Sequence, residues 1–224
     1  MPAVLVTGAS RGLGLELSRQ YAADGWKVIG TVRDATAKRT LAGLGVDARI
    51  VDVADRKSIV RLAAGLEGVP IDVLVCNAGI HGPKDVPLGK LDYSIWEEVL
   101  RVNVLGAAAM AEALVENIAA GERKAIVMMS SRMGSIGESR GGEYVYRSSK
   151  AALNMVGKTL ALDLARRGIT VVSISPGWVR TDMGGEDAPL APEISVRGVR
   201  RVIEGLSLEQ SGKFFNHDGS AIAW

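Results

Sequence analysis

The sequence predicts an α/β fold in which helices cover both faces of one doubly wound parallel sheet. Short apolar segments rich in β-branched residues alternate with helical segments along the 224 residues, as is typical of βαβ units. Residues 71–75 are almost all apolar, as expected of a strand that is buried on both faces. No linker, internal repeat or low-complexity tract interrupts the chain, so we expect a single domain over residues 1–224.

The composition excludes several classes of function. The apolar fraction of 47% supports a globular fold, and a formal net charge of +2 supplies no strong field for nucleic acid or a membrane surface. The N-terminus leads into a strand without a charged leader or a long apolar span, so we expect a cytoplasmic protein. The single Cys76 excludes an intrachain disulfide. His81 and His217 lie far apart, so we expect no metal site.

A glycine-rich turn follows the first strand. Residues 4–6 form the strand, Gly8, Gly12 and Gly14 follow at G-x-x-x-G-x-G spacing, and a helix is predicted over residues 15–23. Such glycines let the backbone approach a pyrophosphate, which the amide groups at the helix N-terminus then face. A simple glycine-rich turn is the alternative. The order strand, turn, helix favours a dinucleotide site and a Rossmann-type sheet.

The residue after the second strand, residues 27–32, bears on the choice of cofactor. An acidic residue there is typical of NAD sites, whereas the 2′-phosphate of NADP requires positive charge. The strand is followed by Arg33, and Arg11 lies in the glycine-rich turn, so two guanidinium groups are available for this phosphate. We therefore expect a preference for NADP(H), with NAD(H) possible. Asp34 argues for NAD(H) but is more simply the N-cap of the next helix.

Five further strands are predicted. The third, residues 48–51, leads to Asp52 and Val53, and the fourth leads to Asn77, Ala78 and Gly79, either beside a cofactor or in an ordinary turn. The fifth and sixth are expected at residues 124–129 and 169–174. A helix follows the third strand from a cap at residue 55 to about residue 66, and a final strand is expected near residues 213–215.

A long helical region over residues 95–120 includes Asn103 within an apolar stretch. A buried asparagine must be hydrogen-bonded, and a bond to a neighbouring backbone group is the simplest structural role. The fifth strand delivers Ser130 and Ser131 to the carboxyl end of the sheet, where such sheets bind ligands. After the sixth strand, a polar loop at about residues 180–193 leads to a last helix over residues 195–206.

Tyr146 and Lys150 are spaced i and i+4 in a helical apolar segment, so they share one helix face. A free tyrosine has a pKa of roughly 10, and a nearby ammonium group favours the phenolate. The pair is therefore a candidate for general acid–base catalysis. Alone it is also compatible with a surface pair of no function.

Taken together, these motifs resemble those of the short-chain dehydrogenase/reductase family. Residues 7–14 match its T-G-x-x-x-G-x-G motif, residues 77–79 its N-A-G motif, and Tyr146 with Lys150 its Y-x-x-x-K pair. The resemblance covers essentially the whole chain. Residues 183–190 and 212–224 further resemble the branch that includes the C-factor and sniffer carbonyl reductases.

The resemblance implies an oxidoreductase that transfers hydride between NADP(H) and a small carbonyl or alcohol substrate. It makes Tyr146 the general acid or base, and it implies that Lys150 lowers the pKa of Tyr146 and binds the nicotinamide ribose. Ser131 hydrogen-bonds the substrate oxygen, with Ser130 or Ser135 as alternatives, and Asn103 holds a water that links Lys150 to solvent. The implied cofactor-binding residues are Gly8, Ser10, Arg11, Gly12, Leu13, Gly14, Arg33, Asp52, Val53, Asn77, Ala78, Gly79, Tyr146, Lys150, Pro176, Gly177, Val179 and Thr181.

Within that set, the resemblance assigns Asp52 and Val53 to the adenine and Val179 with Thr181 to the carboxamide. The chain departs from the pattern at Cys76, where an asparagine is often found, and in a longer loop over residues 134–143, which we expect to reshape the substrate entrance. His81 is either a substrate contact or a solvated loop residue. The alternative function is an NADP(H)-binding signalling or redox-sensor protein with incidental turnover. Members of the family often form homodimers or homotetramers.

Overall fold

A computed structural model describes all residues, 1–224, and contains one seven-stranded sheet with the order β3-β2-β1-β4-β5-β6-β7. Every neighbouring pair of strands is parallel. The strands are β1 Ala3–Val6, β2 Lys27–Val32, β3 Asp47–Ile50, β4 Val73–Cys76, β5 Ala125–Met129, β6 Thr170–Ser175 and β7 Phe214–Asn216. The predicted doubly wound, Rossmann-type α/β fold is therefore confirmed.

Helices connect the strands and cover both faces of the sheet. They are α1 Gly12–Ala23, α2 Ala35–Leu41, α3 Arg56–Ala64, α4 Tyr93–Leu100, α5 Ala107–Ala113, α6 Val115–Ala119, α7 Tyr144–Leu164 and α8 Pro192–Glu204. Short 3₁₀ turns follow α2, β5 and α7, and another precedes β7. None of these helices combines the length and the apolar character that a membrane span requires.

The core is divided by the sheet because successive strand residues point to opposite faces. In β4, Leu74 belongs to the core on one face, while Val73 and Val75 belong to the core on the other. The first core is closed by α3, α5, α6 and α7, and the second by α1, α2 and α8. Burial on both faces explains why the central strands are apolar throughout.

The long helix expected over residues 95–120 is interrupted. Between α4 and α5 the backbone forms a π-helical segment, Arg101–Gly106, and Leu114 separates α5 from α6. The extra residue in a π turn rotates the side chains that follow it relative to those before it, and such turns are frequent at functional sites. Apolar periodicity does not reveal this interruption, because the segment is apolar on either side of it.

The strand order reverses between β1 and β4. From β1 the chain moves outward to β2 and β3, then crosses to the opposite side of β1 and continues outward through β4 to β7. The two halves diverge at this point and leave a crevice beyond the carboxyl ends of the strands, where open α/β sheets bind ligands.

Candidate active site

A cleft of about 820 Å³ occupies this crevice and extends to the start of α7. It is lined by residues from the glycine-rich turn, the ends of the first five strands, α7 and the loop after β6. Most of the predicted site residues meet there: Gly8, Ser10, Arg11, Gly12, Leu13, Arg33, Asp52, Val53, Asn77, Ala78, Gly79, Tyr146, Lys150 and Thr181.

The glycine-rich turn is closely packed against the N-A-G segment. The hydroxyl of Thr7 accepts hydrogen bonds from the backbone N–H groups of Asn77 and Ala78, both at 2.9 Å, and the Asn77 side-chain amide donates to the Thr7 carbonyl at 2.9 Å. Gly8 has a positive φ of 67°, and a Cβ added there would lie 3.0 Å from the Cα of Ala78. The two motifs therefore form one continuous floor of the cleft.

Helix α1 begins at this floor without a side-chain cap, so the amide groups of its first turn are free to bind an anion. Gly12, with a positive φ of 52°, lines the cleft at this point, and the arrangement fits the pyrophosphate of a dinucleotide. Gly14 has a different function. A Cβ added at Gly14 would lie 2.1 Å from the carbonyl oxygen of Gly8, so Gly14 allows α1 to approach the turn.

The cleft contains the two arginines expected to bind a 2′-phosphate. Arg33 lies just after β2, and Arg11 lies just before α1, where its Nη1 is 3.1 Å from Oδ2 of Asp182. This ion pair is exposed on both sides and contributes little stability. The carboxylate of Asp34 accepts a hydrogen bond from the Ala37 N–H at 2.8 Å, which confirms that Asp34 is the N-cap of α2.

Tyr146 and Lys150 lie side by side near the start of α7. Both are buried, and Nζ of Lys150 is 5.6 Å from the centroid of the Tyr146 ring. Nζ also donates a 2.8 Å hydrogen bond to the carbonyl of Met129 at the end of β5. The shared helix face predicted from the i, i+4 spacing is thus present, and the sheet edge holds the ammonium group in place.

The net shift of the Tyr146 pKa is upward in this geometry, not downward as expected from the neighbouring Lys150. Burial raises the pKa of Tyr146 to about 12, opposed by the neighbouring hydroxyl of Ser131. Burial also lowers the pKa of Lys150 to about 8. Desolvation dominates both groups because each charged form loses water in the buried site and gains little in return. The Ser131 hydroxyl also accepts a bond from the Met133 N–H at 3.2 Å.

The contact with Tyr146 favours Ser131 over the two alternative serines. The hydroxyl of Ser135 accepts a bond from the Glu138 N–H, and the hydroxyl of Ser130 is buried without a partner. Ser130 lies on the wall of the cleft, however, whereas Ser131 is set back from it at the start of a 3₁₀ turn.

Asn103 lies in the π-helical segment, and its side chain forms a pair of hydrogen bonds with the backbone of Ile80. Its Oδ1 accepts from the Ile80 N–H at 2.8 Å, and its Nδ2 donates to the Ile80 carbonyl at 2.8 Å and to the Ser149 hydroxyl at 3.0 Å. The structural role expected of a buried asparagine is therefore present. A Cβ on Gly79 would lie 3.2 Å from Oδ1 of Asn103 and 3.6 Å from Nζ of Lys150, so these two groups flank Gly79.

Six predicted residues do not line the cleft, which are Gly14, Asn103, Ser131, Pro176, Gly177 and Val179. Gly14, Asn103 and Ser131 support lining residues from behind, as described above. The Pro176 carbonyl accepts a 2.6 Å hydrogen bond from Ser195 of α8, and Val179 is buried beside Leu190. The part of the loop after β6 that reaches the cleft is Thr181 with Asp182 and Met183.

The sequence leaves two roles open for His81, a substrate contact or a solvated loop residue, and the structure places it against Tyr146. Its ring stacks on that of Tyr146, with the centroids 4.2 Å apart and the planes inclined by 17°. The position immediately after the N-A-G motif and Ile80 was the available signal, but nothing in the linear sequence indicates a contact with a residue 65 positions away. Glu98 and Arg101 of the α4 region also line the cleft and were not predicted.

Comparison with known families agrees with this geometry. The family model described as short chain dehydrogenase matches residues 2–189. The chain belongs to the short-chain dehydrogenase family. As a member of this family it is an oxidoreductase. The family that the sequence motifs predicted is therefore confirmed.

Two curated relatives are similar over most of the chain. A protein named C-signal from Myxococcus xanthus is 42% identical over 156 residues, which cover 69% of this chain and 93% of the relative. A 1-hydroxy-2-glutathionyl-2-methyl-3-butene dehydrogenase from Rhodococcus is 36% identical over 231 aligned positions, with both chains fully covered.

Two solved structures share the fold and its length. The carbonyl reductase Sniffer of D. melanogaster has a TM-score of 0.93 and 33% identity, with full coverage of both chains. The NADPH-bound carbonyl reductase from chicken fatty liver has a TM-score of 0.92 and 30% identity, covering 100% of this chain and 99% of the other. One of these two similar structures thus contains NADPH.

Proposed function

We propose that this short-chain dehydrogenase is an NADP(H)-dependent carbonyl reductase with Tyr146 as its general acid and base. The observation that carries the proposal is that one cleft is lined both by the buried pair Tyr146 and Lys150 and by the two arginines Arg11 and Arg33. The likeness to carbonyl reductases over the full chain supports it.

The residues of the cleft divide the binding of the cofactor among them. The free amides of α1 bind the pyrophosphate, Arg11 and Arg33 bind the 2′-phosphate, and Asp52 with Val53 borders the adenine. Bound NADPH supplies the hydride for the substrate carbonyl carbon. NAD(H) remains usable at lower affinity, because only the phosphate contacts distinguish the two cofactors.

Tyr146 donates a proton to the carbonyl oxygen during reduction and accepts it in the reverse direction. Its buried phenol stays protonated near neutrality because burial raises its pKa to about 12, so the acid form is present at the start of reduction. Lys150 stabilises the phenolate left behind and hydrogen-bonds the ribose. Ser131 contacts Tyr146 from behind the cleft wall and directs the Tyr146 hydroxyl at the substrate oxygen. Asn103 holds the water that connects Lys150 to solvent.

Residues 180–193 form the substrate loop in this proposal. Within this loop, Asp182 pairs with Arg11 of the glycine-rich turn, and the Met183 carbonyl accepts a 3.0 Å hydrogen bond from Nζ of Lys84. Closure of such a loop excludes water from the reacting groups. The substrate is a small carbonyl or alcohol compound, and assembly as a homodimer or homotetramer stays a prediction.

The first experiment is a panel of aldehydes, ketones and quinones assayed with NADPH and with NADH. We expect Tyr146→Phe to lower kcat by about 10²- to 10⁴-fold on any accepted substrate, because it removes the transferable proton. Tyr144→Phe is the matched control, since Tyr144 lies on the same helical turn but is exposed. Equal activity of wild type and Tyr146→Phe would contradict the proposal.

The second experiment tests the preference for the phosphate. Arg33→Asp is expected to raise the Kd for NADPH by about 10- to 100-fold and to change that for NADH little, because a charge-assisted bond contributes about 1.5 to 3 kcal/mol. Arg39→Asp on α2 makes the same charge change away from the cleft. If the ratio of the Kd for NADPH to the Kd for NADH is the same in both variants, Arg33 has no part in binding the phosphate.

A signalling or redox-sensor function is the second candidate, favoured by the similarity to the protein named C-signal. Here cofactor binding biases an interaction with a partner, and turnover is incidental. It predicts tight NADP(H) binding, no turnover above background across the panel, and a cellular phenotype that survives Tyr146→Phe.

A further inference from the structure

His81 forms part of the cleft wall next to Tyr146. Its imidazole lies almost parallel to the phenol, with 4.2 Å between ring centroids, and its side chain is only 15% exposed. Lys150 approaches the same phenol, with Nζ 5.6 Å from the ring centroid. The plane of the Tyr146 ring is therefore set by the imidazole as well as by the helix.

The backbone on both sides of His81 is fixed. Ile80 is hydrogen-bonded through its N–H and its carbonyl to the side chain of Asn103. Gly82 has a φ of 78°, and a Cβ there would lie 3.3 Å from methyl groups of both Val99 and Val145. With its backbone fixed and its side chain largely buried, the imidazole has little room to leave the phenol, so the stack is a built feature of the cleft.

Glu143 approaches the imidazole from the first residue before α7. It is a non-glycine residue with a φ of 49°, and such strained positions cluster at functional sites. One carboxylate oxygen, Oε1, accepts a 3.0 Å hydrogen bond from the Asp85 N–H, which directs the other toward His81. Oε2 lies 3.8 Å from Nδ1 of the imidazole, too far for a hydrogen bond.

Both facing atoms, Nδ1 of His81 and Oε2 of Glu143, are buried and have no hydrogen-bond partner. Unsatisfied buried polar atoms are rare in folded proteins and call for an explanation. When the imidazole takes up a proton at Nδ1, the two facing atoms can move together and form a charge-assisted hydrogen bond.

The charged groups around the imidazole act in opposite directions. Burial lowers the pKa of His81, the carboxylate of Glu143 and a hydrogen bond involving the Gly82 backbone raise it, and the ammonium groups of Lys84 and Lys150 lower it. When the imidazole gains a proton, a positive charge appears against the face of the Tyr146 ring. That charge stabilises the phenolate formed when Tyr146 gives up its proton.

We propose that His81 is a positioning residue for Tyr146: its ring fixes the plane of the phenol, and a proton taken up between His81 and the facing Glu143 carboxylate favours release of the phenol proton. The inference rests on the proposed function, in which Tyr146 exchanges a proton with the substrate. It adds a pair of residues that neither the Y-x-x-x-K motif nor the N-A-G motif contains.

The test combines kinetics with a direct observation of the imidazole. His81→Phe keeps an aromatic ring against Tyr146 but cannot take up a proton, and His81→Ala removes both properties. Glu143→Gln keeps the shape and removes the carboxylate. Each variant is compared with wild type in the pH profile of kcat for reduction and in its KM for NADPH, with thermal unfolding as a check on folding.

We expect His81→Ala to lower kcat by roughly ten- to a hundredfold with an unchanged KM for NADPH, because the phenol loses its fixed plane. His81→Phe is expected to retain most of kcat near pH 8 and to lose an ionisation that raises kcat of wild type on the acid side. Glu143→Gln is expected to move that ionisation to lower pH.

Proton NMR supplies a readout that does not depend on activity, because the chain has only His81 and His217. One imidazole signal should be displaced by the ring current of Tyr146, lose that displacement in Tyr146→Ala, and titrate at lower pH in Glu143→Gln. Turnover that Tyr146→Phe abolishes but His81→Ala leaves unchanged would overturn this inference alone. An absence of NADPH consumption by wild type would overturn the proposed function together with it.

Discussion

Replacing Gly14 with alanine tests how the glycine-rich turn is built. The added methyl carbon would lie 2.1 Å from the carbonyl oxygen of Gly8 and 2.6 Å from the side-chain nitrogen of Asn77. Ordinary van der Waals contact begins at 3.4 Å, so α1 and the turn would have to separate by about 1.3 Å. Neither neighbour is the free end of a flexible side chain, because Asn77 is bonded to the Thr7 carbonyl.

The cost follows from overpacking a rigid contact. Extra methyl groups in close-packed positions typically cost about 1 to 3 kcal/mol, and each kcal/mol lowers Tm by about 2 to 4 °C in a chain of this size. Gly14→Ala should therefore lower Tm by about 2 to 12 °C. The Kd for NADPH should also rise, since the displaced groups form the floor of the cleft.

Thermal unfolding without cofactor, followed by circular dichroism, measures the first effect, and a fluorescence titration with NADPH measures the second. Gly43→Ala is the matched control because a Cβ there meets nothing within 4 Å and the backbone φ is not positive. If Gly14→Ala unfolds at the same temperature as the control and binds NADPH as tightly, the close approach of α1 to Gly8 does not require glycine at position 14.

Three further predictions concern buried groups. Burial raises the pKa of Asp72, but backbone N–H groups of Ala3, Glu122 and Arg123 outweigh it and hold the pKa below its usual value. The stabilisation by the Asp72 carboxylate is present above its pKa in the unfolded chain and is lost as pH falls through its pKa in the folded chain. Asp72→Asn should therefore lower the free energy of unfolding, measured by denaturant titration, by about 1 to 3 kcal/mol at pH 7 and by little in strong acid. Lys150→Met should abolish activity yet raise the free energy of unfolding by about 1 to 3 kcal/mol at pH 7. Burial lowers the pKa of this lysine to about 8, so the unfolded chain binds its proton more tightly than the folded chain. The gain in stability should shrink between about pH 8 and 10.5, and a variant that is less stable than wild type at pH 7 would refute the argument. Burial raises the pKa of the Cys76 thiol to about 12, so alkylation of the native protein at pH 8 should be negligible and should become rapid in denaturant; rapid labelling of the native state would contradict the burial of this side chain.

Local patterns predicted most of the fold. The apolar segments predicted the order of the strands correctly and their boundaries to within one or two residues, because a strand that is buried on both faces must be apolar throughout. The second strand was predicted at residues 27–32 and is found at Lys27–Val32. The helix expected over residues 95–120 was only partly right, since the π-helical segment that carries Asn103 leaves no mark in the apolar pattern.

The site was predictable wherever its residues are close in sequence. The glycine spacing, the N-A-G motif and the i, i+4 relation of Tyr146 and Lys150 each lie within one turn or loop, and the family resemblance adds their order along the chain. The pKa of Tyr146 was not predictable in this way. It depends on how much water the folded chain removes from the phenol, and burial outweighs the influence expected of Lys150.

The sequence alone therefore determined the class of fold, the family and the motifs at the carboxyl edge of the sheet, because these depend on local periodicity and on neighbouring residues. Only the tertiary structure decided which distant groups meet: Asn103 with Ile80, Arg11 with Asp182, and His81 with Glu143 against Tyr146. Contacts between residues far apart in the chain exist only after the strands and helices have packed, so their distances, burial and charge states are properties of the folded chain.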